Sequence, residues 1–146
     1  PRLFRKLSSV LTDDGLCFFQ ILGHREYTYF MNSSDWMGRN FFTGGTIPSM
    51  NLFLQFNDDL VVEDVEVVNG KEYANTLNIW LERMYAQKSA ILACFKDESG
   101  RKHPNNESPR HTFEKWRMFY LMCSECFGYD AGKEWVVGYF LMKKRL

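Results

Sequence analysis

The sequence predicts an α/β fold, because strand-like and helix-like apolar patterns alternate along the chain. Residues 16–22 are apolar except for Gln20, and residues 134–142 are almost continuously apolar. Such runs are typical of strands with two buried faces, as in a parallel sheet that is covered by helices on each side. Residues 71–95 and 112–127 instead repeat their apolar side chains at helical spacing. We therefore expect a sheet with covering helices.

The first element in chain order is an amphipathic helix, which a Thr-Asp-Asp-Gly sequence at residues 12–15 ends. After the first strand, a polar and aromatic loop is expected at about residues 23–34, and a short helix at about residues 35–40. The apolar residues that repeat at helical spacing in the first element are Leu3, Phe4, Leu7, Val10 and Leu11.

The middle of the chain predicts a strand, a long helix and a loop. Residues 60–68 predict a strand whose apolar positions change face around Glu63 and Asp64, which a bulge or an edge position would explain. The longest helix is expected at about residues 71–95. The segment 96–110 collects Asp, Glu, Ser, Gly, Asn and two prolines, so we expect a solvated, mobile loop before the last helix.

Two aromatic residues beside a double glycine distinguish the segment 41–49, which reads Phe-Phe-Thr-Gly-Gly-Thr-Ile-Pro-Ser. Glycine admits backbone angles that a β-carbon disfavours, and Pro48 fixes a helical φ before the apolar run 50–56. We expect an aromatic lid followed by a helix, which Thr46 or Ser49 would cap. An ordinary turn with its usual breakers is the alternative.

The composition argues against several classes of protein. Lys and Arg together number 18, as do Asp and Glu, so no net field favours nucleic acid or an anionic membrane. No apolar stretch approaches the roughly 18 residues of a membrane span, and no signal-peptide pattern opens the chain. We therefore expect a cytoplasmic protein with no nucleic-acid partner and no stable membrane insertion, and the oligomeric state stays open.

The cysteines are expected to be reduced core residues. Cys123 and Cys126 have the spacing of half a zinc site, but no second Cys-x-x-Cys sequence or pair of histidines with ligand spacing accompanies them. Cys123 also continues the apolar stripe of a predicted helix. Cys17 and Cys94 are interpreted as core residues as well. Metal or redox chemistry at residues 123–126 is the alternative.

Four segments carry a resemblance to a known family: LTDDGLCFFQILGHREY, DWMGRNFFTGGTIPS, VNGKEYANTLNIWLERM and ECFGYDAGKEWVVGYFLMKK. They resemble the coclaurine N-methyltransferase branch of the cyclopropane-fatty-acid-synthase family. The resemblance implies that residues 1–146 form the C-terminal half of one Rossmann-like class I methyltransferase domain, with three strands, a lid at about 23–56 and helices at about 71–127. It also implies transfer of a methyl group from S-adenosylmethionine to a small amine, such as a benzylisoquinoline-like alkaloid.

The resemblance places S-adenosylmethionine mainly on sequence that this chain does not contain. The family holds the cofactor with a Gly-rich turn and an acidic residue, and neither is visible here, since residues 43–46 lack the Gly-x-Gly-x-x-Gly spacing. The family's catalytic Glu and His belong to a Phe-Glu-His segment that is expected upstream of Pro1. We therefore expect a truncation or a fragment that has no cofactor-binding or metal-binding residues and does not methylate unaided.

The resemblance also implies rings that line the methyl-acceptor site, namely Phe42 on the lid and Trp116 and Phe119 on the last helix. A positive charge over such a ring gains about 0.5–2 kcal/mol. Without the resemblance, all three would be interpreted as ordinary core residues. The other lid residues assigned to substrate binding are Phe41, Gly44 and Gly45.

Two positions bear on which reaction is catalysed. The family's cyclopropane synthases hold a bicarbonate, thought to act as the base, with a Glu, a His and a Tyr. This chain has Gln20, also assigned to substrate binding, at the His position and Phe119 at the Tyr position. Gln cannot carry a proton at neutral pH, and Phe can neither donate nor accept one. Phe119 agrees with the N-methyltransferase branch, whereas Gln20 departs from the His usual in both branches.

His24 is the candidate catalytic residue within the chain. It matches a His of the coclaurine-type enzymes, in the loop after the first strand, where α/β folds place their ligands. A proton acceptor is one interpretation, and a loop residue bonded to the backbone is the other. Three functions stay open: the N-methyltransferase, a cyclopropane or methyl-branched fatty acid synthase acting on phospholipid acyl chains, and a non-catalytic binding module with an aromatic pocket.

Overall fold

The structure is a computed structural model that describes residues 2–95 and 108–145. These residues form two compact units. Pro1–Gly70 and Tyr129–Leu146 together form the first unit, which contains the β-sheets, and Lys71–Gly128 form the second unit, which is helical. The α/β class predicted from the sequence is confirmed.

The first unit contains the predicted first helix, the short helix and the three predicted strands, at bounds close to those expected. A two-stranded sheet that was not expected from the sequence accompanies them. The elements are α1 (Arg2–Val10), β1 (Leu16–His24), β2 (Tyr29–Phe30), α2 (Trp36–Asn40), β3 (Thr46–Ile47), a 3₁₀ turn (Phe53–Gln55), β4 (Leu60–Val68), a second 3₁₀ turn (Tyr129–Gly132) and β5 (Trp135–Lys144).

The main sheet has three strands in the order β1-β5-β4, and both pairings are antiparallel. The prediction of a parallel sheet is therefore wrong for these three strands. Its strands β1 and β4 do run in the same direction, but β5 enters between them and pairs with each in the opposite sense. Among the described strands β4 lies at an edge, and its register shifts between Val62 and Asp64, which confirms the predicted irregularity.

One face of the main sheet carries the core of the first unit. Phe19 and Ile21 of β1 pack against this core, whereas Leu16 and Phe18 are 58% and 59% exposed. Within the described residues, one face of β1 is therefore covered and the other is exposed. The reason is the alternation of side chains along a strand, since α1 and the segment around residues 50–56 pack on one face. The buried cluster consists of Phe4, Met50, Leu60, Val136, Phe140 and Met142.

The prediction of a helix over residues 50–56 is also wrong, because only the 3₁₀ turn Phe53–Gln55 forms there. Ser49 does not cap it. The backbone N–H of Ser49 donates to the hydroxyl of Thr28 at 2.9 Å, and the N–H of Met50 donates to the carbonyl of His24 at 3.2 Å. These bonds hold the chain extended at the point where a helix would begin.

The described residues of the second unit form three helices: α3 (Gly70–Ala86), whose first residue belongs to the first unit, α4 (Lys88–Cys94) and α5 (Pro109–Gly128). The single helix expected over residues 71–95 is interrupted at Gln87, whose φ of −100° and ψ of 17° are not helical. The longest helix is instead α5, which confirms the helix predicted over residues 112–127. The loop predicted at residues 96–110 lies largely outside the described residues.

Across the described part of the chain, none of the helices has the length and apolar character that a membrane crossing needs.

The cysteines differ in accessibility. Cys123 is buried, as expected, whereas Cys94 and Cys126 are exposed, so the interpretation of these two cysteines as core residues is wrong. Cys94 lies at the end of the short helix α4, where the chain reaches solvent. Burial raises the pKa of the Cys123 thiol to about 12.

This difference predicts selective alkylation. Because the thiolate is the reactive form, iodoacetamide at pH 8 should modify Cys94 rapidly and leave Cys123 largely unmodified. Peptide mass spectrometry after a short exposure measures both sites. In concentrated guanidinium chloride the two residues should react at similar rates, and equal rates without denaturant would contradict the burial of Cys123.

Candidate functional site

The candidate site of the first unit contains the aromatic–glycine loop, which we define as residues 31–47. Strands β2 and β3 close its two ends, because Tyr29 lies opposite Ile47 and Phe30 lies opposite Thr46. The N–H of Met31 then donates to the carbonyl of Gly45 at 2.9 Å. The loop is therefore an insertion within a small antiparallel ladder.

Helix α2 gives the loop its internal structure. Asp35 caps this helix, since its carboxylate accepts a hydrogen bond from the N–H of Gly38 at 2.6 Å. Only a glycine fits at position 38, because a β-carbon there would collide with the carbonyl oxygen of Asn32. The hydroxyl of Thr43 donates to the carbonyl of Gly38 at 3.2 Å. The Asp35 cap and the close contact between Gly38 and the carbonyl of Asn32 together constrain the backbone of residues 32–43.

The four loop residues assigned to substrate binding lie together at the end of α2. The N–H groups of Phe41 and Phe42 both donate to the carbonyl of Met37, and the N–H of Gly45 donates to the carbonyl of Phe42 at 2.8 Å. Gly44, the third residue of that turn, has a φ of 68°, which favours glycine. Phe41 and Phe42 are half-buried. Their role in binding stays a prediction.

His24 ends β1 and is buried, with 6% of its surface exposed. Its Nδ1 atom accepts hydrogen bonds from the N–H groups of Glu26 at 3.1 Å and Tyr27 at 3.0 Å. Its Nε2 atom lies 3.2 Å from Oε1 of Glu134. Both ring nitrogens are therefore engaged inside the first unit.

Glu134 reaches His24 from the end of a strained turn. Asp130 and Ala131 have φ angles of 44° and 57°, which are unusual for residues other than glycine. The turn returns the chain into β5, where Trp135 lies opposite His24. A polar cleft of about 560 Å³ opens beside this junction, lined by His24, Arg25, Glu26, Tyr27, Asp130, Lys133 and Glu134.

Gln20 lies in the middle of β1, opposite Tyr139 of β5, and is exposed. Because side chains alternate along a strand, Gln20 shares a sheet face with Phe18 and Leu22. Gln20 precedes His24 by four residues, a separation of roughly 13 Å along a strand. The side chains of these two assigned residues are therefore not brought into contact by the strand itself.

A second candidate site is an aromatic cavity within the second unit. Trp116 and Phe119 of α5, both assigned to substrate binding, have ring centroids 5.5 Å apart. Trp116 also lines a cavity of about 540 Å³, which is large enough for a small organic molecule. Most of its lining is apolar, and Arg83 and Gln87 are its polar members. The lining consists of Trp80, Arg83, Met84, Gln87, Ile91, Phe95, Trp116 and Tyr120.

Glu134 and Arg83 belong to these sites, but neither was expected there from the sequence. Glu134 meets His24 only because β1 and β5 pair antiparallel, which a single sequence does not reveal. Arg83 lies one helical turn after Trp80, so the helical spacing was a usable signal for it.

The family model for mycolic acid cyclopropane synthetase matches residues 1–127 of the chain. The chain belongs to this family. Curated relatives include (S)-coclaurine N-methyltransferase of Thalictrum flavum subsp. glaucum, which is 32% identical over 98% of the chain. The (S)-coclaurine N-methyltransferase of Papaver somniferum is 29% identical over 98% of the chain. The chain spans 40% and 41% of the length of these two relatives.

Two solved structures, of a methyltransferase and of a cyclopropane synthase, illustrate that the fold is shared with known enzymes. A coclaurine N-methyltransferase bound to N-methylheliamine and SAH matches 98% of the chain with a TM-score of 0.84 and 32% identity, and the match covers 42% of that protein. The cyclopropane synthase MmaA2 from Mycobacterium tuberculosis matches with a TM-score of 0.68, 15% identity and 49% coverage of its own length. The match to the coclaurine N-methyltransferase confirms the expected partial methyltransferase fold.

Proposed function

We propose that the chain is the acceptor-binding part of an S-adenosylmethionine-dependent N-methyltransferase that acts on a small amine with a flat aromatic body, such as a benzylisoquinoline-like alkaloid. The observation that carries this proposal is the likeness, over 98% of the chain, to a coclaurine N-methyltransferase bound to N-methylheliamine and SAH. The relatives that carry N-methyltransferase names support it further.

The aromatic residues have a physical role in this reaction. Methyl transfer to an amine needs the reacting atoms held in line at about 3–3.5 Å in a site that excludes water. In the proposal, Trp116 and Phe119 of α5 and Phe42 of the aromatic–glycine loop bind the apolar body of the amine. Their ring faces also stabilise the positive charge on the nitrogen by about 0.5–2 kcal/mol. Phe41 and the turn at residues 44–45 shape the loop around Phe42.

The cofactor would supply the activated methyl group. Gly44 and Gly45 lie in a turn between α2 and β3, whereas the cofactor turn of a Rossmann-like domain joins a strand to a helix. This glycine pair therefore does not fit the cofactor. In the proposal, the main contacts to S-adenosylmethionine and the base that accepts the proton of the amine belong to sequence outside residues 1–146.

The second candidate function is a synthase that forms a cyclopropane or a methyl branch on a phospholipid acyl chain. The description of the matching family model favours it. Gln20 and Phe119 speak against it. Gln20 can donate a hydrogen bond to a bicarbonate but cannot carry a proton at neutral pH as a His would, and Phe119 can do neither.

The test uses the complete gene product that contains this chain and S-adenosylmethionine labelled in its methyl group. One reaction receives a secondary tetrahydroisoquinoline amine, and a parallel reaction receives phospholipid vesicles with unsaturated acyl chains. We expect label in the amine and none in the lipid. Label in the lipid alone would support the synthase, and label in neither would support the non-catalytic binding module.

A further inference from the structure

We propose that His24 is a positioning residue that fixes both ends of the aromatic–glycine loop, rather than a proton acceptor for the substrate. The role in catalysis rests on the proposed N-methyltransferase function, but the effect on the loop does not. Three sets of contacts around His24 carry the inference: those of its ring nitrogens, its backbone and its aromatic neighbours.

The contacts of the ring nitrogens assign one tautomer. Two N–H donors, from Glu26 and Tyr27, converge on Nδ1, so this nitrogen must present its lone pair. The proton of the neutral ring therefore lies on Nε2, where it is donated to Oε1 of Glu134 at 3.2 Å. A ring in this state has no nitrogen left to accept a proton from a substrate.

The backbone of His24 holds the far end of the loop. Its N–H donates to the carbonyl of Pro48 at 2.9 Å, and its carbonyl accepts from the N–H of Met50 at 3.2 Å. The end of β1 lies close to Pro48, because a β-carbon at Gly23 would lie 2.5 Å from the carbonyl oxygen of Pro48. The end of β1 is thus docked on the residues that directly follow β3.

The aromatic neighbours hold the near end of the loop. The His24 ring lies 5.2 Å from the ring of Tyr27, 6.3 Å from that of Tyr29 and 5.4 Å from that of Trp135. The indole N–H of Trp135 donates to the hydroxyl of Tyr29 at 3.0 Å. Since Tyr29 begins the β2–β3 ladder, a displaced His24 ring would loosen both the entry and the exit of the loop that carries Phe41 and Phe42.

Two conservative variants separate the two ring nitrogens. His24→Asn keeps an acceptor atom near the position of Nδ1 and loses the bond to Glu134, because the oxygen of Asn can accept from the N–H groups that follow it. His24→Gln can reach Glu134 but loses the acceptor at the turn. His111→Ala is the matched control, since His111 is exposed on α5 in the other unit.

Hydrogen exchange of the chain in solution measures the effect on the loop. We expect His24→Ala to speed exchange at the amides of Glu26 and Tyr27 and across residues 31–47 by about tenfold or more, the equivalent of about 1.4 kcal/mol. His24→Asn should restore the two turn amides but not the loop, and His111→Ala should change neither. If His24→Ala does not fold, Glu134→Ala should speed loop exchange while Glu134→Gln, which keeps an acceptor oxygen, should not.

Kinetics of the complete gene product separates positioning from proton transfer. A positioning role predicts that His24→Asn raises KM for the amine and leaves the shape of the pH profile unchanged. The inference would be overturned, in favour of a catalytic His24, by two results together. The variant would lose one of the two pH-dependent changes in rate, and the hydrogen-exchange rates of residues 31–47 would stay unchanged. If no methyl transfer occurs at all, the proposed function fails, and the exchange data still decide whether His24 fixes the loop.

Discussion

Truncation of Phe140 to alanine is expected to lower the free energy of unfolding of the chain by about 3–5 kcal/mol. Phe140 lies in the middle of β5, is 0% exposed, and packs its ring 5.0 Å from that of Phe53. The loss combines the transfer free energy of a large ring with a cavity that neighbours on two strands and α1 cannot fill. Because domains of this size are stable by only about 5–15 kcal/mol, the loss is a large fraction of the total. Urea unfolding followed by circular dichroism measures it.

Phe18→Ala is the matched control for this prediction. Phe18 lies on the neighbouring strand β1, but its side chain belongs to the opposite face of the sheet and is 59% exposed. Its removal should change the free energy of unfolding by no more than about 1 kcal/mol. An equal loss from both variants would show that the two faces of the main sheet are buried alike in solution, as the apolar run in the sequence suggested.

Replacement of Trp116 by alanine in the complete gene product is expected to lower kcat/KM for the amine by about 10–100-fold. Trp116 lines the aromatic cavity and contacts the ring of Phe119. Its indole would contribute about 1.5–3 kcal/mol through burial of apolar surface, in addition to the attraction between the ring face and the charged nitrogen. Steady-state kinetics at saturating S-adenosylmethionine measures the change.

Met118→Ala is the control for Trp116. Both residues belong to α5 and have similar exposure, 39% for Met118 and 37% for Trp116. Because they are two positions apart, they project about 200° from each other around the helix. We expect Met118→Ala to leave kcat/KM within about twofold of the unsubstituted protein. A similar loss in the two variants would argue that stability of α5, and not contact with the amine, explains the effect.

The elements that the sequence predicted well are those whose apolar pattern is periodic over many residues. Helix α5 and the strand β4 fall in this group, and the change of phase at Glu63 and Asp64 located the shift in register. These features depend on local geometry, in which the spacing of apolar residues directly reflects the face that is buried.

The features that the sequence could not predict depend on pairing between distant segments. An apolar run such as residues 16–22 has the same composition whether one or both of its faces are covered. The packing of α1 and the segment around residues 50–56 on one face decides that question, and the antiparallel pairing of β5 with β1 brings Glu134 to His24. The run 50–56 has the composition of a helix, but hydrogen bonds of Ser49 and Met50 to residues far along the chain keep its start extended.

The candidate site was only partly accessible from sequence for the same reason. The tight turn that places Phe42 beside Gly44 follows from local glycine geometry, and the resemblance to known enzymes suggested its use. The aromatic cavity of the second unit requires the packing of α3, α4 and α5 against each other, so helical spacing could place Arg83 beside Trp80 but could not reveal the cavity that both residues line.

A crystal structure of the complete gene product with SAH and a tetrahydroisoquinoline amine would test the central claim most directly, namely that aromatic residues of this chain line the acceptor site. We expect carbon atoms of Phe42, Trp116 and Phe119 within about 4.5 Å of the amine, the usual distance of an apolar contact. An amine bound in a well-defined pose that touches none of the three rings would contradict the claim.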